Sequence, residues 1–212
     1  MIEYQLTFKH WTCLALIAVA IFIASIQPLE FESYLLHQAG TIFMLLALIL
    51  TLKKIGLDFV SFSLYLGFLV VHIVGAHYLY SYVPYNEWIL QLFNFDLNQS
   101  LDWTRNMYDR LVHLVYGLCL YPFFYRLFQV WLPKLKPYVL FLLAIQFVMA
   151  TSLIYEWVGW LIAIQLSPED AENYNGQQGD IWDAHMDMLL AAVGAIITGG
   201  IYLRQVFKTH NC

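Results

Sequence analysis

Six apolar stretches, each long enough to cross a bilayer, constrain this chain more than any other feature. They cover residues 11–27, 34–52, 59–80, 108–131, 138–165 and 184–203. A transmembrane helix needs about 20 mainly apolar residues, and its backbone amides must bond within the segment because lipid offers no partners. Charged residues make up only 12% of the chain, about half of the share in soluble domains. We therefore predict an all-α polytopic membrane protein, a single domain over 1–212 with six transmembrane helices.

The distribution of basic residues predicts how these helices are oriented. If six spans alternate in direction, eight of the ten Lys and Arg residues fall on one side, and only Arg105 and Arg110 on the other. Loops rich in Lys and Arg face the cytoplasm. We therefore expect both termini in the cytoplasm and the long acidic loops outside. The first stretch lacks a small-x-small cleavage site, so we interpret it as a retained helix rather than a signal peptide.

Four of the six stretches carry ionisable residues at one depth. An ionisable side chain inside a membrane is costly unless it is paired or hydrated, and it usually marks a functional site. The eight residues concerned are His72, His77, Asp109, Arg110, His113, Glu156, Asp183 and Asp187.

The depth of these residues follows from the rise of an α-helix, 1.5 Å per residue. Counted from the cytoplasmic end of each span, His72 and His113 lie roughly 20 Å up, and Glu156 and Asp187 roughly 26–27 Å up. The hydrocarbon core is about 30 Å thick, so these side chains share the outer third of the membrane. A single polar layer near the outer leaflet favours a one-sided site over a conduit through the bundle.

Structural explanations compete with functional ones at several of these positions. Asp109 and Asp183 also suit acids at the start of a helix, where the helix dipole favours negative charge. A single buried His72 would be an ordinary core histidine with satisfied hydrogen bonds. Arg110 suits either a counter-ion for a buried acid or a contact for an anionic substrate.

Three kinds of chemistry would use this set: metal binding, metal-free acid–base catalysis, and a proton or ion relay. Histidines with carboxylates suit Zn²⁺, and a carboxylate-rich set suits Mn²⁺ or Mg²⁺. For metal binding we assign Glu156 as general base, Arg110 as an anion contact and Asp183 as a further catalytic group. The candidate metal ligands are His72, His77, Asp109, His113 and Asp187.

Several segments resemble the YjdF family of bacterial inner-membrane proteins. They run from Tyr108 to Gly117, from Gly179 to Met188 and from His72 to Tyr78, together with Glu156-Trp157. The resemblance covers nearly the whole chain and implies a multi-pass topology in the inner membrane.

A more distant similarity links the chain to VanZ-like membrane proteins, which are associated with glycopeptide-antibiotic resistance. Asp109, Arg110 and His113 are similar to the Asp-basic-x-x-His start of one helix in those proteins. Their later Asp-x-x-x-Asn motif is matched at Asp183, but Asp187 replaces the Asn.

The leading hypothesis is an enzyme, with or without a metal, that acts on an envelope lipid or a lipid-linked substrate. The rival is a non-enzymatic transporter or envelope-stress protein whose buried charges form a structural ion-pair network. Membrane lipids are the expected surroundings in both cases, and no nucleic acid is expected as a partner.

Overall fold

The computed structural model describes residues 1–210, with the side chains of 169, 170, 172, 173 and 206–210 outside the description. Its helices are α1 Phe8–Ala24, α2 Phe31–Ile55, α3 Phe59–His77, α4 Tyr85–Phe93, α5 Leu97–Ser100, α6 Tyr108–Trp131, α7 Pro137–Ala163, α8 Pro168–Asn175 and α9 Asp183–His210. Two short strands, β1 Ile2–Glu3 and β2 Leu57–Asp58, pair antiparallel. The predicted all-α membrane fold is confirmed, with this small ribbon as an addition that the sequence did not predict.

Five helices are long and apolar enough to cross a membrane: α2, α3, α6, α7 and α9 up to Gln205. The first predicted span corresponds to α1, a shorter apolar helix of 17 residues. At 1.5 Å per residue α1 is about 26 Å long, close to the lower limit for a spanning helix. The number of six spans and the orientation of the termini therefore stay predictions.

The surface of the bundle is apolar, as expected for contact with lipid. Large side chains such as Phe22, Phe43 and Trp157 are 70%, 73% and 57% exposed. A soluble monomer rarely exposes apolar patches of this extent, whereas in a bilayer they face acyl chains. Buried polar residues, among them His37, His72, Asp109, Asp183 and Asp187, lie inside the bundle.

The two ends of the bundle differ in charge, and we name them accordingly. The basic end carries Arg126, which donates hydrogen bonds to the carbonyl oxygens of Ile55 and Gly56 at 3.2 and 3.0 Å. These bonds satisfy carbonyls at the end of α2 that have no helical partner. The acidic end is formed by the start of α6, the start of α9 and the segment 164–182 between α7 and α9.

Helices α6 and α9 approach each other at glycine. A Cβ atom built on Gly117 would lie 1.9 Å from the carbonyl oxygen of Ala191, and one on Gly194 would lie 2.3 Å from that of Leu114. Ala191 and Ala195 are fully buried. The small residues of α9 therefore pack against α6 within the bundle, which is the geometry that small residues permit in membranes.

Substituting Gly117 tests this contact. Gly117→Leu must push α9 away from α6, and overpacking of this kind costs about 1–3 kcal/mol or more. We expect a lower free energy of unfolding, measured by reversible SDS unfolding in mixed micelles. Gly67→Leu is the matched control because its helical position has open space around it. Equal stability of both variants would contradict the close approach.

Candidate functional site

Arg105 lies at the centre of an ion-pair network at the acidic end. Its guanidinium donates to Asp183 at 2.6 Å and to Asp180 at 3.3 Å, and it also contacts Asp109. A further bond reaches the carbonyl oxygen of Gly176 at 3.3 Å. The side chain is only 10% exposed. Burial alone would lower the pKa of Arg105, but the three carboxylates outweigh burial and raise it.

Arg110 pairs with a different acid. Its guanidinium contacts Asp180 and lies 4.0 Å from Asp183. The side chain of Asp180 also accepts a hydrogen bond from the Trp182 backbone N–H at 2.9 Å. That bond, followed by the nearby charges of Arg110 and Arg105, lowers the pKa of Asp180. The structure thus places Arg110, predicted as an anion contact, beside a carboxylate of the chain itself.

Below the Arg105 network lies a group of three residues from three helices, which we call the triad: His113, Glu156 and Asp187. The His113 Nε2 atom lies 3.5 Å from Glu156 Oε1 and 3.7 Å from Asp187 Oδ2. Their potential ligand atoms all lie within 4.8 Å of one another. Three of the predicted site residues therefore come together, on α6, α7 and α9.

Helical periodicity explains why the site has two layers. Asp109 and His113 are four residues apart on α6, and so are Asp183 and Asp187 on α9, so each pair lies on one helix face. Asp109 and Asp183 form the upper layer with Arg105. His113 and Asp187 lie one turn deeper and meet Glu156 there. The three aspartates 109, 183 and 187 form a second group whose carboxylate oxygens lie within 4.8 Å.

The two layers differ in how their charges are balanced. Both upper aspartates contact a guanidinium. In the triad, Glu156 Oε1 and Asp187 Oδ1 are buried and have no hydrogen-bond partner among the described residues. Asp187 as a whole is 4% exposed. Buried carboxylates without partners are costly, so the triad is the part of the site that needs a ligand or protons.

A cavity of about 370 Å³ adjoins the triad. Its wall includes Glu156 from the triad, Asp183 from the upper layer, and the aromatic side chains of Trp157 and Trp160. The remaining lining residues are Leu153, Asn175, Gln177, Ala184, His185 and Met188. The site is thus accessible through a cavity of mixed polar and apolar character.

His72 and His77 do not join the triad. The Nε2 atom of His72 lies 3.3 Å from the carbonyl oxygen of His37 and its Nδ1 lies 2.6 Å from the hydroxyl of Tyr80. With Nε2–H donating to the carbonyl, Nδ1 accepts from the tyrosine, and both ring nitrogens are used. His77 Nδ1 bonds to the carbonyl oxygen of Ala24 at 2.8 Å and connects the ends of α3 and α1. Both predicted ligands thus bond to other groups of the chain and lie apart from the triad.

Comparison with known proteins identifies the family. The family model described as "Predicted membrane protein (DUF2238)" matches residues 9–208. The chain belongs to the DUF2238 family. It is also 27% identical over 170 residues to the inner membrane protein YjdF of Escherichia coli (strain K12), covering 78% of this chain and 75% of that protein. No solved structure matches the chain significantly.

Membership of the DUF2238 family confirms the predicted resemblance and location. The chain is a multi-pass protein of the bacterial inner membrane. The site residues and the similarity to VanZ-like proteins stay predictions.

Two largely buried residues at the acidic end of this DUF2238 protein were not among the predicted site residues. Arg105 was noticed only as a loop cation, although it is one of two cations predicted on the acidic side. His37, in α2, is 5% exposed and stacks on Tyr174 with ring centroids 4.9 Å apart. The sequence feature that could have identified His37 is its position as a polar residue in an apolar run, at the same end as the other ionisable residues.

The Arg105 network generates a stability prediction. Arg105→Gln leaves Asp109 and Asp183 buried without their cation, and breaking a buried ion pair in this way costs about 3–5 kcal/mol. We expect a fall of that order in the free energy of unfolding in mixed micelles. The double variant Arg105→Gln/Asp109→Asn should recover part of the loss because it removes one uncompensated carboxylate.

Arg204→Gln is the control, since that arginine is exposed at the basic end. If Arg105→Gln were no less stable than Arg204→Gln, the network would not hold the acidic end together.

Proposed function

We propose that this protein is a membrane enzyme that uses a divalent cation to hydrolyse or transfer a group of an envelope lipid or lipid-linked molecule. The cation is held by His113, Glu156 and Asp187. The observation that carries the proposal is the pair of carboxylates of Glu156 and Asp187: each has a buried oxygen without a hydrogen-bond partner among the described residues, and each has an oxygen within 3.7 Å of one imidazole nitrogen. The guanidinium groups of Arg105 and Arg110 are engaged by other acids, so a cation bound at the triad would supply the missing positive charge.

The spacing of the triad supports a metal. Two ligand atoms bound at about 2.1 Å in tetrahedral geometry are about 3.4 Å apart. The distances from His113 Nε2 to the two carboxylates are 3.5 and 3.7 Å. Only small side-chain movements are therefore needed to enclose an ion. One imidazole with two carboxylates suits Zn²⁺ or Mn²⁺, and Mg²⁺ if water completes its coordination.

A bound divalent cation would polarise a carbonyl or phosphoryl oxygen and make water a better nucleophile. Glu156 belongs both to the triad and to the wall of the cavity. If one of its oxygens holds the cation, the other is free to accept a proton from a nucleophile that arrives through the cavity, the general-base role predicted from the sequence. His113 and Asp187 hold the deeper side of the site.

The position of the site supports a lipid substrate. The triad lies about one helical turn below the acidic end, which the positive-inside rule assigns to the outer face of the membrane. At that depth an enzyme meets headgroups and the adjoining part of the acyl chains. The exposed tryptophans of the cavity wall, Trp157 and Trp160, are typical of this interface.

Metal analysis tests the cation site. We expect purified wild-type protein, measured by elemental mass spectrometry after growth with Zn²⁺ and Mn²⁺, to hold about one divalent ion per chain. His113→Ala should lose the ion because it removes the single nitrogen ligand. His185→Ala, an exposed histidine two residues from Asp187, should keep it. Metal-free wild-type protein, or equal contents in the two variants, would refute the site.

A non-enzymatic membrane protein is the second candidate. The observation in its favour is the Arg105 network, which joins α6, α9 and the segment between α7 and α9. Holding these parts together is a sufficient reason for the charged residues of this network. Under this alternative the triad binds no metal and catalyses no reaction.

Turnover separates the two candidates. Wild-type protein in vesicles of total bacterial lipid, supplied with Mn²⁺ or Zn²⁺, should convert a lipid species detectable by mass spectrometry. Asp187→Asn should reduce the rate at least a hundredfold, because it removes a ligand charge while keeping the shape of the side chain. Asp102→Asn, an exposed loop acid, should leave the rate unchanged. Identical lipid profiles for wild type and Asp187→Asn would favour the structural role.

A further inference from the structure

We infer that the cavity beside the triad binds a zwitterionic phospholipid, with its cationic amine next to Glu156 and Asp183. The assignment of this lipid as the substrate rests on the proposed function, whereas its binding to the cavity does not. Three features carry the inference: the arrangement of polar and apolar walls, the exposure of the cavity toward the bilayer, and its charge.

The walls of the cavity differ in polarity. The side formed by α7 is mainly apolar, with Leu153, Trp157 and Trp160, and Glu156 is its one carboxylate. The segment between α7 and α9 contributes the amides of Asn175 and Gln177. A ligand that fits both walls is amphipathic, with a polar group toward the amides and an apolar part along the helix.

The apolar side is exposed to the bilayer. Trp157 and Trp160 are each 57% exposed, and they lie on the lipid-facing surface of α7. An acyl chain can therefore remain in the membrane while the headgroup enters between α7 and α9. A soluble molecule would gain nothing from this arrangement.

Charge selects the headgroup. Among the described residues, the lining contains two carboxylates and no Lys or Arg. The two layers, together with the neighbouring pair of Asp180 and Arg110, hold five carboxylates (Asp109, Asp180, Asp183, Asp187 and Glu156) against two guanidiniums, an excess of three potential negative charges. A divalent cation would remove two of them, so one remains. A lipid of net negative charge is repelled there, whereas an ammonium group is attracted by the carboxylates and by the faces of tryptophan rings.

The phosphate of such a lipid would then face the triad. In a zwitterionic headgroup a short linker joins the amine to a phosphodiester. Asp183 and Glu156 both line the cavity, and Glu156 also belongs to the triad, so an amine held on the Asp183 side places the phosphodiester within reach of a cation bound at the triad. The same headgroup thus satisfies the negative cavity and the proposed reaction.

Competition between lipids tests the inference. The protein is reconstituted in vesicles of equal phosphatidylethanolamine and phosphatidylglycerol with identical acyl chains, extracted in mild detergent with EDTA, and analysed by native mass spectrometry. We expect wild-type protein to retain phosphatidylethanolamine roughly tenfold over phosphatidylglycerol. Glu156→Gln should reduce this preference toward unity. Equal retention of the two lipids by wild type would overturn the inference.

Matched tryptophan variants locate the bound lipid. Trp160→Ala should lose the retained lipid, and Trp160→Phe should keep most of it because the aromatic wall remains. Trp131→Ala is the control, since Trp131 is 59% exposed at the opposite end of the bundle. Loss of lipid from Trp131→Ala as readily as from Trp160→Ala would show general annular binding and would overturn the inference.

Two further measurements distinguish this inference from the proposed function. Soluble phosphoethanolamine should not displace the lipid, and displacement would show that the cavity recognises a free amine rather than a membrane lipid. Trp160→Ala should retain normal metal content, because Trp160 is not part of the triad. Selective lipid retention by a protein that holds no metal would overturn the proposed function alone, and metal without lipid selectivity would overturn this inference alone.

Discussion

The neutralisation of buried carboxylates is the constraint on which the acidic end of this protein depends. Asp109 and Asp183 lie at the starts of two helices that pack side by side, and without a cation between them their charges would repel in a medium of low dielectric constant. Arg105 supplies that cation and also bonds to Gly176. One guanidinium therefore sets the approach of α6 to α9 and holds the connecting segment over the site.

The contrast between the two layers separates structure from function within one cluster. In the upper layer every aspartate meets a guanidinium, which is how a structural ion network is built. One helical turn deeper, Glu156 and Asp187 meet only an imidazole. A bundle selected for stability alone would gain from apolar residues at these depths, because replacing buried ionic groups by well-packed apolar ones is often stabilising. The retained carboxylates of the triad are therefore the stronger indication of a ligand.

The sequence predicted the long apolar helices, which follow from length and hydropathy, and the fixed rise per residue grouped His113, Glu156 and Asp187, which the structure brings together. It grouped His72 with His113 because depth alone does not say which way a side chain faces. In the bundle His72 faces His37 and Tyr80, whereas His113 faces α7 and α9. Arg105 was missed because it precedes the helix, where no periodicity predicts the direction of its side chain. The β1–β2 ribbon was missed because two-residue strands leave no pattern.

The small residues between α6 and α9 also determine the geometry of the site. Gly117 follows His113 by one helical turn, and Ala191 follows Asp187 by one turn. These two residues form one of the close approaches between the backbones of α6 and α9, and Leu114 with Gly194 forms another. A larger residue at Gly117 would separate the helices directly beneath the triad. The 3.7 Å distance between His113 and Asp187 would then increase, whereas one ion with bonds of about 2.1 Å spans at most about 4.2 Å between two ligand atoms. The glycine contact thus fixes the fold and the geometry of the candidate metal site together.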